Sequence, residues 1–398
     1  MIAPAQPGIL IIVENEPVPV DRRVWLEALA LQQAGYQVSI ICPKGPGGQS
    51  SRESLEGIEI YRHLTWTASG RFGYLLEYSL ALAAEFVLAC RLYWRRPFGV
   101  IQACNPPDTG FLVALPFKLL GVRFVFDHHD LAPELYDVKF VRRGIIYRIV
   151  RLAELLSFRF ADLSIATNES YREIAITRGH MPPERVVTVQ TCADLCEVNR
   201  SKAVPALKRG KRHMVLYVGM MESQDGVRLL IESIDHLVKQ RHREDTQFVL
   251  VGAGSELPRL KTLAVQLGLS SFVEFTGLLP HDQVRPYLST ADVCVAPDPL
   301  NPLNDKSTMI KILEYMAFGR PVVLYDLTEG RLTVGEGGLY ARPDDPIDFA
   351  DQIEKLLDSE LLRNRLGAYS QRRTVEELNW SNQSRRLVTA FSALLNGH

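Results

Sequence analysis

The apolar run Ile9-Leu-Ile-Ile-Val13 opens the chain's folded pattern, and a second run, Gln37-Val-Ser-Ile-Ile-Cys42, follows it after a helical segment. Asp21 is a suitable N-cap for the helix between the two runs, and Gly35 is a suitable C-terminal stop. A strand, a helix and a strand joined by short connections form a βαβ unit, whose two strands lie parallel in one sheet. This stretch therefore predicts a doubly wound α/β domain.

The same alternation of strands and helices continues along the chain, with one interruption. The segment 201–213 is basic, contains Pro205 and Gly210, and has no clear period, which is typical of a linker. We expect a Rossmann-like N-terminal domain at 1–200 and a Rossmann-like C-terminal domain at 214–378. A last helix at 379–398 is expected to pack back on the N-terminal domain. Two tandem domains of this kind are expected to face a cleft that binds ligands. Further strands are predicted at 99–103, 123–127, 163–166, 186–190, 214–218, 248–252, 273–276, 293–296 and 321–325.

The composition is that of an ordinary globular protein. The 398 residues are 46% hydrophobic and 23% charged, with a formal net charge of -1. These values exclude a disordered chain and disfavour an overall attraction to nucleic acid. The 6 cysteines are scattered rather than arranged as a disulfide framework, which indicates a reducing, cytoplasmic environment.

Membrane signals are weak except in one segment. Residues 1–13 lack the pattern of a signal peptide, and charges interrupt the apolar region 74–94, so a buried helix is expected there. The segment from Lys139 to Arg151 contains no acidic residue. At helical spacing it has a basic face beside an apolar one, which suits an anionic membrane surface. A solvated helix with its apolar face in the core is the alternative. The basic residues of the segment are Lys139, Arg142, Arg143, Arg148 and Arg151.

The most informative helix is predicted at 306–318, within Asn304-Asp-Lys-Ser-Thr-Met-Ile-Lys-Ile-Leu-Glu-Tyr-Met-Ala-Phe-Gly319. It begins just after the strand 293–296, at the edge of the sheet where ligands bind. Either Ser307 or Thr308 can cap it. The first N–H groups of a helix have no intrahelical partner and bear partial positive charge, so a diphosphate fits this terminus.

Charged side chains extend this prediction. Lys306 and Lys311 can neutralise a diphosphate, while Glu314 can accept hydrogen bonds from vicinal hydroxyls such as those of a ribose. Because Ser307, Lys311 and Glu314 are spaced by four and three residues, they are expected to form one polar stripe. The alternative is a capped helix whose lysines and glutamate are merely solvated.

Two pairs of residues are candidates in the N-terminal domain. His128 and His129 end the strand 123–127, where a histidine can contact sugar hydroxyls or transfer a proton. Arg22 and Arg23 stand near a helix start and can bind an anionic acceptor or a donor phosphate. The alternatives are histidines that cap the next turn and arginines that are a surface pair. A zinc site at the histidines is disfavoured, since no other histidine or cysteine has suitable local spacing.

Several motifs in this order resemble those of the retaining family-4 glycosyltransferases, a group with two Rossmann-like domains in the GT-B architecture. The resemblance covers nearly the whole chain, and it favours His129 as the cleft histidine of the family. The matching motifs are Glu314-Tyr-Met-Ala-Phe-Gly-Arg-Pro-Val322, Leu216-Tyr-Val-Gly219 with Gly226, Val251-Gly-Ala-Gly254, Glu274-Phe-Thr-Gly277, Ala291-Asp292 and His129-Asp130.

The chain departs from the family pattern at the phosphate-binding positions. Lys306 stands where the family has the first of two glutamates, and Met220 and Asp225 stand where it has an arginine and a lysine. The glycine pair after the first strand is replaced by Val20-Asp-Arg-Arg23, and the hinge reads Thr191-Cys-Ala-Asp194. A bacterial subgroup shares Gln224-Asp-Gly226 and the motif at 304–309, so these changes resemble subgroup features.

The resemblance implies a retaining enzyme that moves a sugar from a nucleotide-sugar to a glycan or lipid-linked acceptor in bacterial envelope polysaccharide synthesis. It implies no cofactor and no metal, which agrees with the lack of an Asp-x-Asp motif. The location expected is the cytoplasm or the inner face of the membrane. The candidate residues are then His129, Lys306 and Lys311 for catalysis, Gly219, Ser307, Thr308, Met309 and Glu314 for the donor, and Arg22, Arg23 and His128 for acceptor or phosphate.

Three other functions remain open at this point. A dinucleotide-dependent oxidoreductase is suggested by Gly252-Ala-Gly254 with Glu274, but the third glycine of that fingerprint is replaced by Leu257. A sugar-nucleotide epimerase shares the GT-B architecture without transferring a sugar. An inactive glycosyltransferase acting as a partner subunit is suggested by the lost glutamate, arginine and lysine.

Overall fold

The computed structural model describes residues 7–45, 49–64, 71–139, 144–192 and 202–396, with the backbone alone at 71–77 and 139. The chain divides into two compact units. The first comprises Met1–Thr191 with Ser381–His398, and the second comprises Cys192–Trp380. Each unit is built on a mainly parallel sheet whose strands alternate with helices.

The first unit has a sheet of 8 strands in the order β3-β4-β2-β1-β5-β6-β7-β8. All neighbouring strands are parallel except β3 and β4, which are antiparallel. The strands are β1 Gly8–Ile12, β2 Gln37–Pro43, β3 Arg52–Leu55, β4 Ile58–His63, β5 Phe98–Cys104, β6 Arg123–His128, β7 Leu163–Ala166 and β8 Val186–Thr188. The helices are α1 Arg22–Gln33, α2 Arg71–Arg95, α3 Phe111–Lys118, α4 Ala132–Lys139, α5 Ile145–Phe160 and α6 Glu169–Thr177.

The second unit has a parallel sheet of 6 strands in the order β11-β10-β9-β12-β13-β14. This is the strand order of a Rossmann fold, in which the direction of winding reverses between the first and fourth strands. The strands are β9 His213–Val218, β10 Thr246–Val251, β11 Val273–Gly277, β12 Val293–Ala296, β13 Val322–Tyr325 and β14 Gly338–Ala341. The helices are α7 Val227–Lys239, α8 Leu257–Gln266, α9 His281–Thr290, α10 Ile310–Ala317, α11 Thr328–Val334, α12 Pro346–Asp358 and α13 Glu360–Glu376.

Local sequence explains the elements that form the sites. The Asp21 side chain accepts a hydrogen bond from the Val24 N–H at 3.0 Å, so the predicted N-cap of α1 is confirmed. In α7 the buried residues Leu230, Ile234 and Leu237 recur at helical spacing and pack on the second sheet. Because these apolar faces are buried, the polar residues of each unit lie in the loops at the carboxyl ends of the strands.

The structure differs from the sequence prediction at one connection. The segment expected as a linker at 201–213 is attached to the second unit, because Lys208 Nζ donates to Asp292 Oδ2 at 2.7 Å and Val204 N donates to Thr290 Oγ1 at 2.8 Å. The last helix, predicted to begin at 379, is α14 Trp380–Asn396, and a short connection separates it from α13, which ends at Glu376.

The apolar region 74–94 forms α2, but that helix is only partly buried. Trp94 is 87% exposed and Val87 is 46% exposed. Among the described residues, none of the helices combines the length and apolar character that a membrane span needs.

Candidate active site

The second unit brings two sequence motifs together at the point where its sheet changes winding direction. The loops after β9 and β12 meet here, and Asn304 joins them. Its buried side-chain amide donates to the Gln224 carbonyl and to the Pro299 carbonyl, both at 2.9 Å. The motif at 224–226 and the motif at 304–309 are thus parts of one structure.

Glycines allow these loops to pack backbone against backbone. Gly226 has a φ of +68°, and a Cβ there would lie 1.9 Å from the Pro297 carbonyl oxygen. A Cβ at Gly252 would lie 1.8 Å from the Gly219 carbonyl oxygen, and one at Gly254 would lie 2.4 Å from that of Met221. Loop packing therefore accounts for the Gly252-Ala-Gly254 pattern that also suggested a dinucleotide site.

The predicted start of the phosphate helix at 306 is wrong. Helix α10 begins at Ile310, its N-cap is Met309, and no side chain caps it. Neither Ser307 nor Thr308 is therefore a cap. The polar side chains before the helix bind other backbone instead: Asp305 Oδ1 accepts from the Thr328 N–H at 2.9 Å. Residues 304–308 are thus held by contacts outside a helix, and α10 begins only after them.

Lysine 311 lies in the first turn of α10, beside the end of β9. Its Nζ is 2.7 Å from Asp298 Oδ1 and 5.1 Å from the ring centroid of Tyr217. A Cβ on Gly219 would lie 3.5 Å from Lys311 Cδ. The positions of Lys311 and Gly219 therefore converge. Burial raises the pKa of the Asp225 carboxyl, and the positive charge of the nearby Lys311 opposes this rise.

The other predicted donor residues are placed less uniformly. Glu314 lies one turn beyond Lys311 with 23% of its side chain exposed, and its Oε1 is 3.3 Å from His281 Nε2. Lys306 and Ser307 precede the helix, so the predicted polar stripe consists of Lys311 and Glu314 alone. Thr308 Oγ1 donates to Glu329 Oε2 at 3.5 Å.

The first unit has its polar centre at the end of β6. His129 Nε2 donates to Asp127 Oδ2 at 2.8 Å, and the His129 backbone N–H donates to Asn105 Oδ1 at 2.6 Å. Although burial opposes it, the charge and hydrogen bond of Asp127 raise the pKa of His129. Only 14% of the His129 side chain is exposed. The ring is therefore fixed in orientation and favours the protonated form.

A network of buried side chains binds the carboxylate of Asp127. Gln102 Nε2 donates to Asp127 Oδ2 at 2.8 Å and to Glu27 Oε2 at 2.7 Å. Arg23 Nη2 is 3.2 Å from Asp127 Oδ1 and 3.0 Å from Glu27 Oε1. Burial and the neighbouring Asp127 raise the pKa of Glu27 to about 8. Burial alone would raise the pKa of Asp127, but His129 and Arg23 lower it.

The two arginines of the first unit have different environments. Arg22 is exposed, whereas Arg23 has only 8% of its side chain exposed and also donates to the Val189 carbonyl at 2.7 Å. The interpretation of a surface pair is therefore wrong for Arg23. Its guanidinium neutralises Asp127 and Glu27, so it supports the site rather than presenting itself to an anion.

His128 does not lie in an accessible site. Its ring is fully buried against Phe126, Phe158 and Tyr171. Burial, reinforced by the charge of Arg178, lowers its pKa to about 3. A neutral ring enclosed by aromatic side chains does not contact an acceptor in this structure.

One group of possible metal ligands was not predicted from the spacing of residues in the sequence. Within the described part of the chain, ligand atoms of Cys104, Asp127 and His129 lie within 4.8 Å of one another. These residues come from two adjacent strands and the following loop, so local spacing gave no signal. In this group Asp127 already accepts bonds from Gln102 and His129, and no ion is needed to balance it.

The fold and these sites together define a class of protein. Two Rossmann-like units in tandem, each with polar residues at the carboxyl ends of its strands, form the GT-B class of glycosyltransferase folds. A model of the glycosyl transferase 4-like domain matches residues 20–192, and a model of the glycosyl transferases group 1 matches residues 212–359. The chain belongs to the family-4 glycosyltransferases.

Relatives and solved structures agree with this assignment. The chain is 27% identical over 292 residues to alpha-D-kanosaminyltransferase from Streptomyces kanamyceticus, covering 71% of this chain and 74% of that relative. Sucrose-phosphate synthase from Thermosynechococcus elongatus matches with a TM-score of 0.81 at 19% identity, covering 99% of this chain and 100% of the other. HepE from Anabaena, in complex with UDP and glucose, matches with a TM-score of 0.70 at 16% identity, covering 97% of this chain and 100% of the other.

Proposed function

We propose that this glycosyltransferase moves a sugar from a nucleotide-sugar to a glycan or lipid-linked acceptor of the bacterial envelope, with retention of anomeric configuration and without a metal. The observation that supports a nucleotide-sugar donor is the convergence of Lys311, Gly219 and the start of α10 at the reversal point of the second sheet. HepE, whose fold this chain shares, was solved with UDP and glucose. Retention is typical of the family.

The donor diphosphate is assigned to the N-terminus of α10 and the residues that precede it. Lys311 has three N–H donors, and the bond to Asp298 uses one of them, so the ammonium can also donate to phosphate. Lys306 adds positive charge before the helix. As the sugar departs, charge grows on the leaving phosphate, and fixed N–H groups with a lysine stabilise it most in the transition state. Glu314 accepts hydrogen bonds from the ribose hydroxyls.

The acceptor side of the reaction is assigned to the first unit and to His129. The Nε2 atom of His129 is hydrogen-bonded to Asp127, so Nδ1 is the nitrogen that contacts a sugar hydroxyl or transfers a proton. Arg23, Gln102 and Asp127 act as positioning residues for the ring. The exposed Arg22 is the candidate contact for an anionic acceptor.

The donor assignment is tested by melting the protein with UDP-, GDP-, dTDP- and CDP-sugars. A ligand that binds only the folded state raises Tm by mass action. We expect one nucleotide class to raise Tm and its sugar to be hydrolysed slowly without acceptor. Interconversion of the donor sugar without hydrolysis would indicate an epimerase instead. No Tm response to any nucleotide-sugar would indicate an inactive partner subunit.

The proposed mechanism leads to two further predictions. Turnover per folded molecule should survive EDTA, because the helix terminus and lysines rather than a metal stabilise the phosphate. NMR of the product should show the anomeric configuration of the donor. Loss of turnover in EDTA that Mg²⁺ or Mn²⁺ restores would contradict the metal-free mechanism, and an inverted product would contradict retention.

We also propose that the first unit binds an anionic membrane surface. The predicted basic segment is not a single helix, since α4 ends at Lys139 and α5 begins at Ile145; the side chains of Lys139, Arg142 and Arg143 lie outside the described residues. Along α5, an apolar stripe faces solvent, and this exposure supports the proposal over a helix with its apolar face in the core. The exposed apolar residues are Ile145, Ile146, Ile149, Leu152 and Leu155.

Charge on this helix complements an anionic surface. Arg148 and Arg159 are exposed beside the apolar stripe, while Glu154, the acidic residue of α5, is buried against Arg178 at 2.5 Å. Helix α3 contacts α5 and is followed by two further exposed apolar residues, Leu119 and Leu120. An amphipathic helix with arginines beside its apolar face is typical of interfacial binding.

Liposome flotation tests the membrane proposal. Binding should rise with the fraction of anionic lipid and fall with salt. Reversing Arg148 and Arg159 to glutamate should weaken binding by about 30-fold or more, at about 1 kcal/mol for each charge lost. Leu361→Glu, at an exposed apolar residue of the second unit, is the control and should bind normally. Equal binding to neutral liposomes, or none to anionic ones, would contradict the proposal.

A further inference from the structure

A second group of titratable side chains lies at the carboxyl ends of β1 and β4, which are two and four places from β6 in the order of the sheet. Glu14 follows β1, His63 is the last residue of β4, and Glu85 projects from α2. None of them belongs to the donor or acceptor sites assigned above. His63 and Glu85 are both at least nine-tenths buried.

The three side chains point at one another. His63 Nε2 is 2.9 Å from Glu14 Oε2, and one ligand atom from each residue lies within 4.8 Å of the other two. Apart from these contacts with one another, Glu14 Oε2, His63 Nε2 and Glu85 Oε1 have no hydrogen-bond partner among the side chains that the structure describes. Three buried polar atoms thus converge on one point and contact only one another.

The tautomer of His63 explains why this arrangement is incomplete. Its Nδ1 is 3.3 Å from the Leu64 carbonyl oxygen, which only accepts, so Nδ1 bears a hydrogen. In the neutral ring Nε2 is therefore a lone pair, and it faces a carboxylate oxygen. Histidines that ligate metals commonly donate their other N–H to a backbone carbonyl in this way.

The charges of the two glutamates also favour a bound cation. Within the described side chains, neither Glu14 nor Glu85 forms an ion pair with a lysine or arginine. Two buried carboxylates that lie side by side repel each other unless a cation or a proton lies between them. A divalent ion would neutralise both carboxylates and coordinate the free imidazole nitrogen.

We propose that Glu14, His63 and Glu85 bind one divalent transition-metal ion, with Zn²⁺ the preferred ion. Imidazole nitrogen and carboxylate oxygen are both zinc ligands, and three protein ligands leave a fourth coordination position. Imidazole disfavours Mg²⁺ and Ca²⁺, which prefer oxygen ligands alone. The ion stabilises the first sheet at the carboxyl ends of β1 and β4, and it takes no part in sugar transfer.

Metal content and binding test this proposal independently of turnover. The full-length, untagged protein is stripped with a chelator, then titrated with Zn²⁺ and with Co²⁺, whose visible absorption reports its ligands. We expect about one ion per chain and a rise in Tm. His63→Ala and Glu85→Gln should bind at least tenfold more weakly, since even indirect support of a metal site is worth about 10–100-fold.

Two control variants make the result specific. His213→Ala removes a buried histidine that lies 3.8 Å from Asp245 and 3.9 Å from Asp292, and should bind Zn²⁺ like the wild type. Cys104→Ser alters the other group of possible ligands and should also bind normally. The proposal is overturned if the wild type binds no ion, if His63→Ala binds as tightly as the wild type, or if Cys104→Ser alone abolishes binding. The three residues would then share protons rather than a metal.

Discussion

The polar centres of the two units occupy similar places at the carboxyl ends of parallel strands, but they are built by different means. In the first unit, side chains fix the centre: Asp127 is bound by His129, Gln102 and Arg23. In the second unit, backbone packing at glycines fixes the loops, and one buried ion pair orients Lys311. The first centre should therefore respond chiefly to changes of charge, whereas the second should respond most to added volume at its glycines and next to loss of its ion pair.

The largest effect is expected from adding one methyl group at Gly226. Gly226→Ala places Cβ 1.9 Å from the Pro297 carbonyl oxygen at a φ of +68°. We expect the free energy of unfolding to fall by about 5 kcal/mol or more, in the range of severe strain. The measurement is urea denaturation.

Gly268→Ala is the matched control for this change. It has a similar φ of +72°, but nothing lies within 4 Å of its Cβ. It should cost only the left-handed backbone strain of about 1–2 kcal/mol. Equal losses at the two positions would show that loop packing does not determine the second centre.

The next largest effect concerns the ion pair of Lys311 and Asp298, whose side chains are 9% and 4% exposed. Lys311→Ala leaves a buried carboxylate unpaired and should cost about 3–5 kcal/mol of stability. The double variant Lys311→Met with Asp298→Asn removes both charges and should recover most of that stability. Turnover should nevertheless stay about 10²–10³-fold low in both variants, because the phosphate loses a donor.

An exposed ion pair provides the control for Lys311. Arg331→Ala breaks a pair with Asp326 whose side chains are 54% and 41% exposed, so it should cost less than about 1 kcal/mol. Turnover that recovers together with stability in the double variant would remove Lys311 from catalysis, and Lys306 and Arg22 would be tested next.

The first centre is tested by the pKa of His129. Asp127→Asn keeps the shape of the side chain but removes its charge, so the pKa of His129 should fall by about 1–3, as expected for loss of an opposite charge. NMR titration of the imidazole measures it, with His213 of the second unit as an unchanged reference. An unaltered His129 pKa in the folded variant would show that Asp127 does not govern the ring.

The same pair predicts how stability depends on pH. Since the folded-state pKa of His129 is raised, its protonated form stabilises the fold fully below the unfolded value of about 6.5. That contribution should decline as the pH rises through the folded pKa. Asp127→Asn should flatten this part of the profile, as measured by urea denaturation between pH 5 and 8.

Most strands were predictable because burial on both faces of a parallel sheet selects unbroken apolar runs, whereas β3, β4 and β14 were not predicted. The predicted ranges 163–166 and 293–296 coincide with β7 and β12. The start of α10 was not predictable, because Asn304 and Asp305 bind the backbone of Gln224 and Thr328. Those partners are distant in sequence, so helical spacing alone extended the helix too far.

In the first unit, His129 was proposed as a site residue because it follows a strand and because of the family resemblance. The network of Glu27, Gln102 and Asp127 that contacts it was not predicted. A signal existed in α1, where Glu27 occupies a position on the buried face together with Val24, Ala28 and Leu31. A charged residue on an apolar face indicates a buried partner, but it does not identify the partner.

The most direct test of the account is the donor affinity of Glu314→Gln, measured by calorimetry with the nucleotide-sugar that raises Tm. If α10 binds the donor, losing a charged acceptor should weaken binding by about 1.5–3 kcal/mol, or roughly 10–150-fold. Glu232→Gln changes an equivalent residue, ion-paired with Arg228 on α7, and should leave the affinity unaltered. An unchanged donor Kd in the folded Glu314→Gln variant would contradict the placement of the donor at this helix.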